Sequence, residues 1–352
     1  MSIKTINGDL CHELLFNDAD RKLAFDEKKA FGEWKTQVKE KLWELLGMER
    51  IERNVCSPNF EIEETLETET YTRIRFTFES ERGAIVPCYL LIPKTGKEKY
   101  PVTILLQGHS TGFHNSIGVF KDGVTEEKLK NGSWALQAVE RGFAALAIEQ
   151  RAMGERRSPR TYGKANVFRG RPHMCAVQSL QAINLGRTVI GERVWDVSRA
   201  IDVLHEWALP VLDLDKIMVT GNSGGGTASF YAGCLEERIG YVAPCCSFCS
   251  YRTSIMNIEH CACNYIPSVC NWFEMEDLAC LIAPRALTVI AGREDPIFPI
   301  DGVRESYETV KKIYEKAGAK DKCRLAETPD AHYWNVEIVW NAIVEETTKL
   351  GW

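Results

Sequence analysis

The segment spanning residues 216–233, KIMVTGNSGGGTASFYAG, restricts the fold more than any other part of the chain. Its apolar part, Ile217 to Val219, predicts a short buried strand, and its last residues are small and compatible with a helix. Between them, residues 221–225 match G-x-S-x-G, in which a serine on a strained strand-to-helix turn is presented as a nucleophile. The glycines allow other backbone to approach this turn closely. The segment therefore predicts a strand, a tight turn that carries Ser223, and a helix.

Glycine-rich turns between a strand and a helix can also bind phosphate groups. The segment contains neither the Gly-Lys-Ser/Thr of the Walker sequence nor the first Gly-x-Gly spacing of a dinucleotide-binding turn. The first half of the chain has no comparable glycine-rich turn. The nucleophile interpretation is favoured, provided that partners for Ser223 exist elsewhere.

Composition narrows the class of protein. With 352 residues, of which 45% are hydrophobic, the chain can build a large core. A net charge of −6 gives no electrostatic reason to expect nucleic acid or an anionic membrane as a partner. The N-terminus lacks the apolar core of a signal peptide, and no segment has the length of a membrane span. We expect a cytoplasmic protein that acts on small neutral molecules.

The cysteines raise the question of a metal. Thirteen cysteines, an odd number in a long chain, indicate reduced thiols rather than a disulfide framework. Seven of them lie within residues 245–280, together with His260. Their spacings, CCSFC and HCAC, do not form the paired C-x-x-C of structural zinc sites, and free cysteines often pack as small buried side chains. We therefore expect neither a metal nor an organic cofactor.

Periodicity predicts the architecture. Residues 1–70 are expected to form a helical extension, whose clearest amphipathic piece is AFGEWKTQVKEKLWELLGM. YTRIRFTFES and AIVPCYLLIP predict an antiparallel hairpin at a sheet edge. From Pro101 onward strands alternate with helices, which predicts a mostly parallel, doubly wound α/β sheet with helices on both faces. Residues 71–352 are expected to be one domain with insertions at about 151–190 and 250–280, which either shape a pocket or lie passively at the surface.

A nucleophilic serine needs a base and a carboxylate that orients the base. With this turn the expected chain order is serine, acid, histidine, and only His260 and His332 follow Ser223. His332 lies between the predicted strand KCRLAET and the last helix, at the sheet edge where such side chains are presented. We predict His332 as the base.

The predicted acid is Asp295, which follows the apolar run ALTVIAG. Glu294 and Asp301 are its competitors, and Asp301 fits better as a residue at the start of the next helix.

An oxyanion in the reaction needs backbone donors. The first is expected to be the N–H of Gly224, directly after the serine. The second should come from the loop LLQGHSTGF, where Gly108 permits a sharp turn and the N–H of His109 is preferred over that of Ser110. Metal ligands are not part of this prediction.

With these parts assigned, residues 85–350 resemble the α/β-hydrolase superfamily, and within it the acetyl xylan esterase-like and dienelactone hydrolase-like branch. The matching motifs, in order, are QGHSTG, IEQRAMGER, GERVWDVSRAIDVL, GNSGGGT, APRALTVIAGREDPIFP and DAHYW. The resemblance implies an α/β-hydrolase fold with Ser223 as nucleophile, Asp295 as acid and His332 as base.

The chain departs from the family pattern at several positions. Gln107 stands where the family often has histidine, and Ala331 where it often has glycine. The three glycines at 224–226 are looser than many such turns, and Glu149 with Arg151 matches the family's Asp-x-Arg-Gly only loosely. The oxyanion turn is therefore expected to be supported differently.

The sequence thus predicts a serine esterase that transfers a short acyl group, acetyl above all, from a carbohydrate or similar alcohol to water. Gly108 and Trp334 are predicted to bind the substrate. Trp272, Phe273 and Tyr333 are further candidates to line its pocket, and ordinary packing is the alternative for all the aromatic residues. A lactone hydrolase or peptidase of the same fold, or a non-catalytic binding protein, remain alternatives. A homo-oligomer is compatible with the sequence, which does not determine the oligomeric state.

Overall fold

The structure, a computed structural model, describes residues 6–110, 112–119, 132–158 and 175–352. Its N-terminal part contains helices α1 (Leu10–Asn17), α2 (Phe31–Leu46) and α3 (Met48–Glu52). Helix α2 is the predicted amphipathic helix. Its buried residues are Trp34, Val38, Leu42 and Leu46, whereas Leu45 is only partly buried.

A nine-stranded sheet forms the centre of the described part of the chain. The strands are β1 (Glu61–Glu67), β2 (Tyr71–Glu79), β3 (Ile85–Pro93), β4 (Tyr100–Leu106), β5 (Ala144–Ile148), β6 (Leu212–Asn222), β7 (Ile239–Cys245), β8 (Ala286–Gly292) and β9 (Cys323–Thr328). Their spatial order is β1-β2-β3-β5-β4-β6-β7-β8-β9. The pairs β1–β2, β2–β3 and β3–β5 are antiparallel, and the five other pairs of neighbours are parallel. The predicted mostly parallel sheet is confirmed.

Two details of the sheet differ from the sequence prediction. Strand β1 lies within the stretch expected to be helical, and all of its residues are exposed, so no apolar alternation marks it in the sequence. The predicted hairpin does form, with Tyr71 opposite Pro93 and Glu79 opposite Ile85. It is not at the edge, however, because β1 pairs with β2 on one side and β5 pairs with β3 on the other.

Helices cover both faces of the sheet. They are α4 (Trp134–Glu140), α5 (Ala176–Asn184), α6 (Val189–Trp207), α7 (Gly224–Leu235), α8 (Ala279–Ile282), α9 (Ile300–Lys316) and α10 (Val336–Lys349). One apolar core contains buried residues of α2, α6, α7 and α9, and a second contains those of α4 and α10. Strands β4, β5 and β8 are buried at every residue, as expected for a sheet covered on both sides. Within the described ranges, no helix has the length and apolar character needed to cross a membrane.

The two insertions differ in how much of them the structure describes. In the first, residues 159–174 lie outside the described part, and a 3₁₀ turn (Gly154–Arg156) and α5 flank them. The second contains 3₁₀ turns at Ala262–Asn264, Val269–Asn271 and Glu276–Leu278, followed by α8.

The second insertion holds the N-terminal segment instead of lying passively at the surface. Phe273 is fully buried in the core. The carbonyl oxygen of Trp272 accepts a hydrogen bond of 2.7 Å from the Leu23 N–H, and the ammonium group of Lys41 lies 4.0 Å from the indole centroid. Both aromatic residues were predicted to line a pocket, but Trp272 packs against the N-terminal segment and Phe273 belongs to the core.

Candidate active site

Ser223 occupies the strained turn that the motif predicts. It lies between the last residue of β6 and the first residue of α7, with φ +56° and ψ −125°. Such a backbone costs about 1–3 kcal/mol for a residue with a Cβ and persists only where the surroundings enforce it. Here the Ser223 N–H donates to the carbonyl of Cys245 at 2.9 Å. A Cβ at Gly221 or Gly225 would collide with the carbonyl oxygen of Leu106, so both glycines allow β4 to pack against the turn.

Asp295 and His332 meet at the same end of the sheet, in the loops that follow β8 and β9. The Asp295 Oδ2 lies 2.7 Å from the His332 Nδ1. The other oxygen, Oδ1, accepts hydrogen bonds from the N–H groups of Ile297 at 2.8 Å and Phe298 at 3.0 Å. The carboxylate is buried. Its orientation is thus fixed by backbone donors, and it in turn fixes the imidazole.

The two loops pack closely because Gly292 has no side chain. A Cβ at this position would collide with the carbonyl oxygen of Ala331, the residue before His332. The imidazole of His332 stacks on the ring of Phe298, with centroids 5.9 Å apart. Its Nε2 is buried and has no hydrogen-bond partner in the described part of the chain, and Ser223 is not bonded to it there. The structure therefore joins the predicted acid to the predicted base, and the Nε2 of the predicted base has no partner among the described residues.

The competing acids lie elsewhere. Glu294 is exposed and contacts the neighbouring loop only through its N–H, which donates to the carbonyl of Asp330 at 3.0 Å. Asp301, in the first turn of α9, is exposed and lies 3.5 Å from the Arg304 guanidinium. Neither carboxylate contacts His332, so the geometry favours Asp295.

The loop after β4 lies directly against the turn. A Cβ at Gly108 would come within 2.8 Å of the Asn222 carbonyl oxygen and 3.3 Å of the Ser223 Cβ. The imidazole of His109 covers Gly224, since a Cβ there would lie 2.8 Å from its Cε1 and 3.0 Å from its Nδ1. As the first residue of α7, Gly224 has no helical acceptor for its N–H. The residues predicted to bind an oxyanion are therefore neighbours of Ser223.

A buried glutamate supports this loop. The Oε1 of Glu149 accepts hydrogen bonds from the Gln107 side chain at 2.5 Å and the Phe113 N–H at 3.2 Å, and Oε2 accepts from the Glu155 N–H at 3.2 Å. Burial raises the pKa of Glu149 to about 7, although the backbone N–H groups of Glu155 and Phe113 act in the opposite direction. Gln107, which stands where the family often has histidine, is thus held by Glu149, a contact that the sequence did not predict.

Arg151 anchors the loop after β5 through a buried ion cluster. Its guanidinium contacts both oxygens of Asp196 in α6, with the shortest distance 3.0 Å, and lies 2.7 Å from Glu81 in the β2–β3 turn. Asp196 also contacts Arg156 at 2.6 Å. Burial alone raises the pKa of Asp196, but Arg151 and Arg156 outweigh it and hold the pKa at about 2. The cluster joins the start of the first insertion to the body of the fold.

Asp196→Asn is expected to lower the free energy of unfolding by about 3–5 kcal/mol at pH 7, because Arg151 then remains buried without its main counter-charge. The pKa of this carboxyl is lower in the folded protein than the value of about 3.9 expected when unfolded, so its contribution is present above pH 4 and is lost between about pH 4 and 2. Urea unfolding at pH 7, 4 and 3 should show the gap to wild type narrowing as the pH falls. Asp202→Asn, on the same helix but partly exposed, is the control and should cost under about 1 kcal/mol. Equal effects of the two variants, or a gap that does not change with pH, would contradict the assignment.

Of the two aromatic residues that follow His332 and were predicted to line the substrate pocket, Trp334 is buried and Tyr333 is exposed. Trp334 is only 2% exposed, and its Nε1–H donates to the Gln137 side chain at 3.2 Å while its ring packs on Trp134. It belongs to the core on the α4 and α10 face, so its prediction as a substrate-binding residue is corrected. Tyr333 is 57% exposed and remains accessible.

Sequence reasoning missed several neighbours of His332. Phe298 supports its ring, and His260 packs edge-on against Phe298 at 5.6 Å. Burial lowers the pKa of His260. The Sγ of Cys246 lies within 4.8 Å of a carboxylate oxygen of Asp295 and of a ring nitrogen of His332. In the sequence, Phe298 belongs to the motif APRALTVIAGREDPIFP and Cys246 to the cysteine-rich segment, but only His260 has a candidate role there, as one of the two histidines after the nucleophile.

The chain is similar to known hydrolases and esterases. The model of the Abhydrolase family matches residues 10–337. A Bacillus subtilis (strain 168) protein, provisionally named hydrolase YtaP, is 22% identical over 312 residues, which are 88% of this chain and 97% of the relative. A solved structure from Bacteroides fragilis NCTC 9343, provisionally named an acetyl xylan esterase, superimposes with a TM-score of 0.75 at 16% identity, covering 97% of this chain and 95% of that one. A glucuronoyl esterase from Solibacter usitatus gives 0.65 at 16% identity, covering 93% and 96%.

These structural matches show the fold, and the α/β-hydrolase architecture predicted from the sequence is confirmed. Since the family model matches most of its length, the chain belongs to the Abhydrolase family.

Proposed function

We propose that this protein is a serine carboxylesterase that hydrolyses short-chain acyl esters, acetyl esters foremost, of a carbohydrate or similar alcohol. Ser223 is the nucleophile, His332 the base and Asp295 the acid. The observation that carries the proposal is the 2.7 Å contact between Asp295 and His332, in loops at the sheet end where Ser223 stands on its strained turn.

The first half of the reaction follows from these groups. The Asp295 carboxylate accepts the Nδ1–H of His332, which leaves the Nε2 lone pair available to take a proton. As the Ser223 Oγ attacks the ester carbonyl carbon, Nε2 removes the hydroxyl proton, and Asp295 stabilises the resulting imidazolium. The protonated His332 then donates this proton to the departing alcohol, and the acyl group stays on Ser223.

Charge develops on the carbonyl oxygen in this step. The N–H groups of Gly224 and His109 are the proposed donors, and the N-terminus of α7 adds its positive dipole end. In the second half, His332 removes a proton from water as the water oxygen attacks the acyl carbon, and the protonated His332 then gives this proton to the Ser223 Oγ as the bond between the acyl carbon and Oγ breaks. The carboxylic acid is released, and the serine hydroxyl and the neutral imidazole are restored.

A small, neutral acyl group fits the surroundings of Ser223. The methyl of Met153 and the ring of His109 pack on Gly224 and limit the room beside the nucleophile. Two arginines near the acid loop, Arg293 and Arg304, both pair with Glu327 at 2.8 Å, so neither offers an unpaired charge to an acidic substrate. The acetyl xylan and glucuronoyl esterase names of the structural relatives support a carbohydrate ester as substrate. The proposed compartment is the cytoplasm, where the thirteen cysteines, all free, stay reduced.

The test compares kcat/KM of the purified protein for p-nitrophenyl acetate, butyrate and octanoate, and then for an acetylated xylo-oligosaccharide and a methyl glucuronate ester. We expect kcat/KM for the acetate ester to exceed that for the octanoate ester by at least about tenfold. A pocket without room for the additional methylene groups discriminates against the longer chain by that much or more. Acetylated sugar should exceed the uronate methyl ester. A preference for octanoate, or for the uronate ester, would overturn the acetyl assignment, and inactivity on all five would favour a binding protein on this fold.

A further inference from the structure

We propose that His109, Cys175, Cys261 and Cys263 bind one zinc ion, which joins the loop after β4 to both insertions. A ring nitrogen of His109 and the three cysteine Sγ atoms all lie within 4.8 Å of one another. The sequence favoured buried thiols without a metal, because only two of the four donors, Cys261 and Cys263, are close together in the chain. Folding adds the other two donors from distant parts of the chain.

The distances suit a tetrahedral ion. The Sγ of Cys263 lies 3.3 Å from the His109 Nε2 and 3.4 Å from the Cys261 Sγ. With Zn–S near 2.3 Å and Zn–N near 2.0 Å, neighbouring ligand atoms of a tetrahedral site stand about 3.5–3.8 Å apart. Three cysteines and one histidine are a known structural zinc set, and soft thiolates select against magnesium and calcium.

The donors are held by three separate segments. His109 is in the loop after β4, Cys175 directly precedes α5, and Cys261 and Cys263 belong to the 3₁₀ turn at 262–264. Cys175 and Cys263 are buried in a small apolar cluster, and Cys261 packs against it. The other members of the cluster are Ala152, Met153, Ala182 and Val189. An ion here would connect the three segments.

The charges also balance. Arg193 is 1% exposed, and its Nη1 and Nη2 lie 3.4 Å from the Sγ atoms of Cys263 and Cys175. It is fixed by hydrogen bonds to the carbonyl oxygen of Arg151, the shorter being 2.9 Å. Three thiolates, one Zn²⁺ and one guanidinium are neutral in total, as a buried site requires. Hydrogen bonds to ligand sulfurs are the outer contacts expected around such a site.

The site has a consequence for the proposed esterase. The Nε2 of His109 faces the thiols, while the Nδ1 and Cε1 edge of the same ring lies against Gly224. Zinc would therefore hold the loop that supplies the oxyanion N–H of His109. This consequence rests on the proposed function, whereas the metal site does not, and His109 acts here as a positioning residue through its ring.

The test measures metal content by inductively coupled plasma mass spectrometry on the full chain, purified without chelators or affinity metals. We expect about one zinc per chain in wild type. The double variant Cys261→Ser/Cys263→Ser should contain none, and Cys270→Ser, a partly buried cysteine of the same insertion outside the cluster, should keep it. Replacing zinc by cobalt in wild type should give the thiolate charge-transfer absorption of a tetrahedral site, a readout that does not depend on any variant folding.

Several results would overturn the zinc site. These are wild type without zinc even after equilibration with one equivalent, zinc retained in the double variant, iron or copper in its place, or a disulfide within the cluster on non-reducing mass analysis. Ester hydrolysis is measured in parallel. Zinc without activity on any ester would leave the metal site standing and reject the esterase, and activity without zinc would do the reverse.

Discussion

Ser223→Ala is expected to lower kcat for p-nitrophenyl acetate by roughly 10⁴- to 10⁶-fold, as removal of a catalytic serine does in enzymes that act through such a triad. The substitution removes only the Oγ. The alanine Cβ occupies the same place on the strained turn, so the backbone at φ +56° and the contacts of its N–H with Cys245 should persist. Steady-state kinetics and a thermal unfolding curve measure the two effects separately.

Ser229→Ala is the matched control, in the helix that follows Ser223. Its hydroxyl donates only to the carbonyl oxygen of Gly225, at 2.8 Å, and activity should stay near that of wild type. A fluorophosphonate probe gives a second measurement, because it should add one covalent adduct at Ser223 in wild type and none in the alanine variant. Activity that survives Ser223→Ala, or an adduct on another residue, would mean that the turn is a scaffold feature and not the nucleophile.

Asp295→Asn is expected to lower kcat by about 10⁴-fold while leaving the fold intact. The reason lies in the two backbone donors on Oδ1, the N–H groups of Ile297 and Phe298. An asparagine keeps both bonds only with its oxygen at that position, which turns its NH₂ toward the His332 Nδ1. This nitrogen must then accept instead of donate, so the proton moves to Nε2 and the imidazole can no longer take the proton of Ser223.

The neighbouring acids provide the controls for this variant. Glu294→Gln and Asp301→Asn change exposed carboxylates that do not contact His332, and both should retain kcat within about twofold of wild type. Near-normal activity of Asp295→Asn with a large loss in one control would move the role of the acid to that neighbour. Equal melting temperatures across the three variants would confirm that the differences are chemical.

The parts of the fold that follow local patterns could be predicted from the sequence. Strands β4, β5 and β8 are buried on both faces, so they read as continuous apolar runs, and α2 shows its buried stripe. Strand β1 could not be found this way because it is exposed along its whole length. Its position is set by pairing with β2, and because of this pairing the hairpin of β2 and β3 lies inside the sheet and not at its edge.

The aromatic residues show the limit for site prediction. Trp334 follows closely after His332 in sequence, yet its side chain enters the opposite core, where Gln137 satisfies its indole N–H. Phe298, which the motif APRALTVIAGREDPIFP contains but to which the sequence assigned no role, is the ring that supports the imidazole. Closeness in sequence does not determine which way a side chain points at the end of a strand.

The resemblance of its motifs to a known superfamily implied the α/β-hydrolase fold, and the sequence by itself predicted the turn that carries Ser223, a mostly parallel sheet and the order of serine, acid and histidine. These depend on short-range rules, namely apolar periodicity, glycine at a strained turn and the loops that follow strands. Only the tertiary structure decided that Asp295 and not its neighbours contacts His332, that Glu149 supports Gln107, and that a histidine and three cysteines from three segments share one buried cluster. Those contacts join residues far apart in the chain, and their distances are set by how the sheet and its insertions pack, which spacing along the sequence does not encode.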